Sequence, residues 1–250
     1  MLSNRTKTRT AWAVAAAVVP ISAVLTGAST ATESHYAGPA PTDVAQVSQL
    51  SESVADPAPA KTDVAEPAEA AAPAPKLPES VLSGTIPKVN FEAYKAAQDT
   101  MAKSAAACHI DWTLIAGIGR VESHHANLGD ADDNGQLRSP IYGPTLDGSL
   151  AGNQVIGDTD GGALDGDTGF DRAVGPMQFL PSTWKTFAAD GNGDGKIDPQ
   201  NVFDAALTTA RYLCHDGLDL SNEGDRVAAV LRYNNSSAYV SEVLGYAASY

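Results

Sequence analysis

Apolar residues in the second half of the chain recur at helical spacing, with little of the strict alternation that marks half-buried strands. Phe91, Tyr94 and Met101, with Ala105 through Cys108, form one series; Leu114, Ile115, Ile118 and Val121 form a second; Phe203, Leu207, Ala210 and Cys214 form a third. Residues three and four apart share a helix face, so each series predicts an amphipathic helix with one side on a core. Shorter helices are predicted from Ser182 to Phe187, from Asp225 to Tyr233 and from Tyr239 to Ala247. The fold class is therefore mainly all-α. It forms one domain over residues 89–250, about 160 residues, a usual size for a single domain. Between the second and third series runs "GDTDGGALDGDTGFDRAVG", too rich in Gly and Asp to be a regular element and long enough to suggest a functional loop.

The first third of the chain lacks such periodicity. Arg5, Lys7 and Arg9 precede an apolar stretch from Ala11 to Leu25 that ends in small residues, so residues 1–31 are expected to be a secretory signal peptide or an N-terminal anchor. No cysteine follows directly on that apolar stretch, which rules out a lipid-modified N-terminal cysteine. Residues 32–88 are dominated by Ala, Pro, Glu, Asp and Ser, as in "DPAPAKTDVAEPAEAAAPAPKLPES". Such a stretch cannot bury enough apolar surface to offset the entropy of ordering, so it reads as a disordered Ala/Pro-rich acidic linker, extended by its Pro-Ala steps. The expected location is secreted or in the cell envelope, outside the cytoplasm. The net charge of -14 disfavours nucleic acid and anionic membrane surfaces as partners. No membrane contact is expected beyond a possible N-terminal anchor, and the domain is expected to be a monomer. The two cysteines, Cys108 and Cys214, are expected to pair in an oxidising compartment.

One acidic residue breaks the apolar pattern. In "GRVESHHANLG" the carboxylate of Glu122 follows Ile115 and Ile118 by two and one helical turns, which aims it at the side that carries core residues. Desolvation and the negative end of the helix dipole both favour its protonated form. An acid that keeps its proton near neutral pH suits glycosidic bond cleavage, where the leaving oxygen must be protonated. Further on, "AVGPMQFLPSTW" combines a Gly-Pro turn with the amide of Gln178, groups able to bind a polar, uncharged ligand such as a sugar ring.

Together, "GIGRVES", "AVGPMQFLPSTW", "DGNGDGKIDPQNVFDAA" and "RYNNSSAYV", in this order, resemble the lytic murein transglycosylases, specifically the membrane-bound transglycosylase B branch. The resemblance covers nearly all of residues 90–250 and none of the linker. It implies a lysozyme-like helical fold and cleavage of the MurNAc–GlcNAc bond of peptidoglycan, leaving a 1,6-anhydro sugar end. It places the catalytic acid at Glu122, has Ser123 support that carboxylate, has Met177, Gln178 and Phe179 line the saccharide groove, and sets Tyr233 and Asn234 beside the acid. Two other readings belong to different classes. A hydrolytic muramidase would need a second carboxylate, for which Asp158, Asp160, Asp165, Asp167 and Asp171 are the candidates. A non-catalytic tethered wall-binding module would keep the fold without the chemistry.

The chemistry needs no cofactor, but "DGNGDGKIDPQN" follows an EF-hand loop closely at first. Asp190, Asn192 and Asp194 fill the first, third and fifth positions, Gly195 the sharp turn, Lys196 the backbone-carbonyl position and Asp198 the ninth. The twelfth, where a bidentate Glu is expected, is Asn201, and Asp204 is the alternative acid. The loop is thus a candidate for weak structural calcium, in the range of roughly 0.1–1 mM. Zinc is disfavoured, because His124 and His125 are adjacent and no His-Glu-x-x-His or Cys-x-x-Cys spacing occurs. Ser123 beside His124 lacks the glycine-flanked elbow of a nucleophile.

Overall fold

Side-chain caps begin the helices where the sequence offers Asp, Asn or Ser. The computed structural model describes residues 76–150 and 154–250; the expected leader or anchor, and the linker up to residue 75, lie outside the described residues. After a short α1 (Glu79–Leu82) come α2 (Lys88–Ser104) and α3 (Trp112–Gly129), the latter opened by Asp111, whose carboxylate accepts from the Thr113 N–H at 2.9 Å. Strands β1 (Tyr142–Thr145) and β2 (Arg172–Val174) pair antiparallel with Tyr142 opposite Val174. Helix α4 (Pro181–Phe187) has Pro at its first position, where a missing N–H costs nothing. The remaining helices, α5 (Val202–Leu213), α6 (Glu223–Tyr233) and α7 (Ser237–Ser249), are capped by Asn201, Asn222 and Ser236.

The described part is thus mainly α-helical, with one two-stranded sheet. Each predicted helix is present. The strand at Arg172–Val174 lies inside what reads as loop, because three residues are too few to leave an alternating signature. Residues 79–87 pack with the helices as well: Ile86 is fully buried and Ser80 nearly so, an apolar anchor that a Pro-rich context hides. Among the described residues, no helix is long and apolar enough to cross a membrane.

Helix α3 is the axis of the core. It packs against α2 and α7, and α2 in turn against α5. Ile115 and Ile118 are fully buried with Ala206, Ala210 and Leu213 of α5 and Val243 of α7. Two glycines of the "GIG" stretch permit this closeness. A Cβ on Gly117 would lie 2.5 Å from the Val243 carbonyl oxygen, and one on Gly119 would lie 2.3 Å from the Tyr94 hydroxyl. Cys108 and Cys214 are disulfide-bonded, which joins the end of the α2 segment to the end of α5.

The end of α3 changes hand. Its backbone leaves the right-handed region after Ser123, and His124, His125, Ala126, Asn127 and Leu128 all take φ between 52° and 64°. Left-handed geometry costs a non-glycine residue roughly 1–2 kcal/mol, so this turn must be held by its contacts. Part of the hold comes from Ser123, whose hydroxyl accepts from the Ala126 N–H at 2.9 Å.

Candidate active site

Glu122 sits on the last right-handed turn of α3, immediately before the left-handed segment. It is partly buried, and the Tyr239 hydroxyl of α7 donates to its Oε1 at 2.5 Å. Burial pushes the Glu122 carboxyl up to about 7, while the hydrogen bond from Tyr239, which favours the charged form, pulls the other way. Burial therefore wins, and the group is poised between acid and base near neutral pH. Tyr239 is itself buried, and its hydroxyl is held far above the ordinary phenol range by that burial and by the Glu122 charge. Tyr233 is raised likewise, first by burial and then by Glu122. The acid therefore has two neutral tyrosines for neighbours, their rings stacked at 6.5 Å with planes 8° apart.

Opposite lies the turn predicted to bind sugar. Val174 and Phe179 exchange two backbone hydrogen bonds, of 2.8 and 3.1 Å, and the four residues between them form a tight hairpin. Gly175 is obligatory there: its φ is +76° and a Cβ would meet the Pro199 carbonyl oxygen at 1.8 Å. Gln178, also at positive φ, donates from Nε2 to the Gly175 oxygen at 2.9 Å. Gly143 of β1 lies against the Gln178 amide oxygen, 2.9 Å from where its Cβ would be. Gln178 is partly exposed, so its amide faces are available at the rim.

Three expected roles are corrected by the geometry. Ser123 does not touch the Glu122 carboxylate; its hydroxyl donates to the Pro176 carbonyl at 2.6 Å. Adjacent helical side chains diverge by about 100°, so Ser123 points inward and ties α3 to the Gln178 hairpin. Met177 and Phe179 are 1% and 4% exposed, which makes them the floor beneath the hairpin and removes them from the groove surface. Met177 contributes its carbonyl to the Tyr233 hydroxyl at 2.7 Å, and Phe179 packs on Trp184, Tyr212 and Tyr233. Asn234, next in the chain to Tyr233, is buried with its amide oxygen unpartnered.

Sequence reading missed Tyr239, although it lies in the quoted "RYNNSSAYV". Its signal is a tyrosine on the apolar face of a capped helix, with Val240 and Val243, where a buried hydroxyl needs a partner. A hollow of about 270 Å³ lined by Asp111, Leu114, Arg226 and Leu244 lies toward the start of α3. Its lining on α3 is about 12–16 Å of helix from Glu122 at 1.5 Å per residue.

The aspartates of the long loop are tied to their own backbone. Asp158 accepts from the N–H groups of Asp160, Gly161 and Gly162, Asp160 from those of Ala163 and Leu164, Asp165 from those of Asp167 and Arg172, and Asp167 from that of Gly169. Asp171, fully buried, accepts from the Thr159 N–H and hydroxyl.

In the EF-hand-like loop, Asp190 accepts from Gly193 and Gly195, Asn192 from Asp194, and Asp194 from Lys196. Asp198 accepts from Gln200, and Asp204 holds the Gly191 and Asp198 N–H groups. Asn201, at the twelfth position, caps α5 and donates to the Asn134 carbonyl. The acidic groups that do bring carboxylate oxygens within 4.8 Å of one another, among the described residues, are Asp158, Asp160 and Asp171, which could hold a metal ion.

Comparison with known families fits this geometry. Residues 168–223 match the family model of the transglycosylase SLT domain. The matched segment carries the Gln178 hairpin, the EF-hand-like loop and α5; Glu122, Tyr233 and Tyr239 lie outside it. Neither the curated proteins nor the solved structures give a match to the chain.

Proposed function

We propose that the domain is a peptidoglycan lytic transglycosylase that uses Glu122 first as acid and then as base. The observation that carries this reading is a carboxyl group raised to about 7 by burial, hydrogen-bonded to a neutral tyrosine, beside a Gln-bearing hairpin within a segment that matches a transglycosylase domain. Protonated Glu122 gives its proton to the glycosidic oxygen as the bond from C1 to that oxygen breaks. The substrate's own acetamido oxygen steadies the electron-poor C1. The Glu122 carboxylate then takes the proton of the C6 hydroxyl while that oxygen bonds to C1, which restores the acid and consumes no water. Tyr239 holds the carboxylate in the intermediate stage, where its hydrogen bond is strongest.

Gln178, partly exposed on its hairpin, serves the sugars; the amide oxygen of Asn234 is closed off from solvent, so Asn234 takes no direct part in sugar contact. The branch resembling membrane-bound transglycosylase B, the extracytoplasmic location and the glycan-strand partner belong to the same proposal. The disulfide supports the location, since such bonds persist in oxidising compartments. No step depends on a metal.

The hydrolytic alternative requires a second carboxylate roughly 5 to 9.5 Å from the first. The loop aspartates are engaged by their own backbone, but Glu242, exposed and one turn along α7 from Tyr239, is close enough for its charge to raise the tyrosine. Mass spectrometry of the fragments released from purified peptidoglycan separates the two. Anhydro ends are expected; reducing ends, each heavier by one water, would overturn the non-hydrolytic step and make Glu242 the residue to substitute.

A further inference from the structure

His125 is one of the fully buried polar groups that the chemistry above leaves unused. It is 0% exposed, three residues past Glu122 and in the second position of the left-handed segment. Both ring nitrogens are occupied. Nδ1 lies 3.0 Å from the Tyr94 hydroxyl of α2, and Nε2 lies 3.1 Å from the hydroxyl of Tyr250, just beyond α7. One proton arrangement satisfies the whole chain. With Asn90 Nδ2 donating to the Tyr94 oxygen at 3.4 Å, the Tyr94 proton points at Nδ1, and the single proton of a neutral imidazole then sits on Nε2 and is donated to Tyr250.

Each member is also fixed by packing. Tyr94 is 1% exposed and fills the space left by Gly119 of α3. Tyr250 is stacked on Trp112, at the start of the same helix, with ring centroids 6.4 Å apart. The three elements joined through this ring therefore include both helices that carry the acid pair, α3 with Glu122 and α7 with Tyr239.

We propose that His125 is a positioning residue for Glu122: as the Nε2–H tautomer it bridges Tyr94 and Tyr250, and thereby fixes the left-handed turn on which the angle of the acid to Tyr239 depends. Burial holds the imidazole down at about 3, so the ring stays uncharged across the working range and the bridge does not switch with pH. His124, exposed and adjacent, has no part in it. The proposal rests on the reading of Glu122 as the acid, but its structural half is testable apart from activity.

In the full chain, nitrogen-15 spectra of the histidine rings should show one imidazole as the Nε2–H tautomer from pH 5 to 8, lost in His125→Phe. An Nδ1–H ring, or one that titrates in this range, overturns this arrangement. Difference infrared spectra against Glu122→Gln should show the Glu122 carboxyl titrating near 7 and displaced in Tyr94→Phe; an unmoved midpoint sinks the coupling, whether or not the protein cleaves peptidoglycan.

On peptidoglycan, His125→Phe should lower kcat about tenfold or more with KM within about twofold, and His125→Gln, whose amide can both accept and donate, should recover most of the loss. An unchanged kcat in folded His125→Phe, or no recovery with Gln, refutes the positioning role. Should His125→Phe fail to fold, Tyr94→Phe, which removes one hydroxyl and little volume, carries the same kcat test. Wild-type protein that leaves peptidoglycan intact would instead count against the function proposed for Glu122.

Discussion

At the residue scale the proposed chemistry turns on one proton. Glu122→Gln removes it, and the expected loss of strand cleavage is about 10²- to 10⁴-fold, read from released sugar ends, with binding to peptidoglycan retained; a fully active variant would remove Glu122 from the mechanism. The pH dependence follows from the raised carboxyl. The acid must start protonated, so kcat/KM should fall as pH rises through about 7. Tyr239→Phe deletes the hydrogen bond that favours the charged form, so the carboxyl should rise further and the falling limb of the profile should move to higher pH, with a reduced maximum.

The same shift has a consequence for stability. A carboxyl raised on folding contributes stability that is fully present below its unfolded value, near 4.5, and is lost as pH rises through about 7. Glu122→Gln has no such loss, so it should gain on the wild type by about 1–3 kcal/mol between pH 5 and 8, measured by urea denaturation at both ends. The raised carboxyl of Glu122 was legible in the sequence because an acid at i+4 on an apolar stripe is anomalous by itself. Tyr239 was not, because its meaning lies in a partner more than a hundred residues away in the chain.

At the element scale, the acid is placed by close approach. The glycines at 117 and 119 let α3 touch α7 and Tyr94, and neither contact could be assigned from the string "GIGR", where a glycine reads equally well as a flaw in the helix. Gly119→Ala sets a methyl 2.3 Å from the Tyr94 hydroxyl; a stiff aromatic ring cannot yield as a flexible chain would, so a loss of about 1–3 kcal/mol is expected in a denaturant titration. The hairpin under Gln178 should be less tolerant still. Gly175→Ala combines a positive φ with a 1.8 Å approach to a backbone carbonyl, and should cost several kcal/mol or displace the Pro199 segment. The left-handed turn after Ser123 was hidden for a related reason. Its residues are not glycines, so local preference opposes it and only the buried His125 and Ser123 contacts offset the strain.

At the scale of the whole molecule, the Cys108–Cys214 disulfide closes a separation of 106 residues, for which chain entropy gives a contribution on the order of 4 kcal/mol. Reduction without unfolding should lower the melting temperature markedly; an unaltered melting curve would show that the unreduced chain gained nothing from the closure. The sequence by itself determined the helical class, the positions of the helices and the cysteine pairing. All of these follow from periodicity, composition and residue type, which are properties of neighbours along the chain. The tertiary structure alone decided that Ser123, Met177 and Phe179 face inward, that Asn201 caps α5, and that Tyr239 meets Glu122. Burial and hydrogen-bond partnership depend on which surfaces close over one another, and no local pattern encodes the far side of a contact.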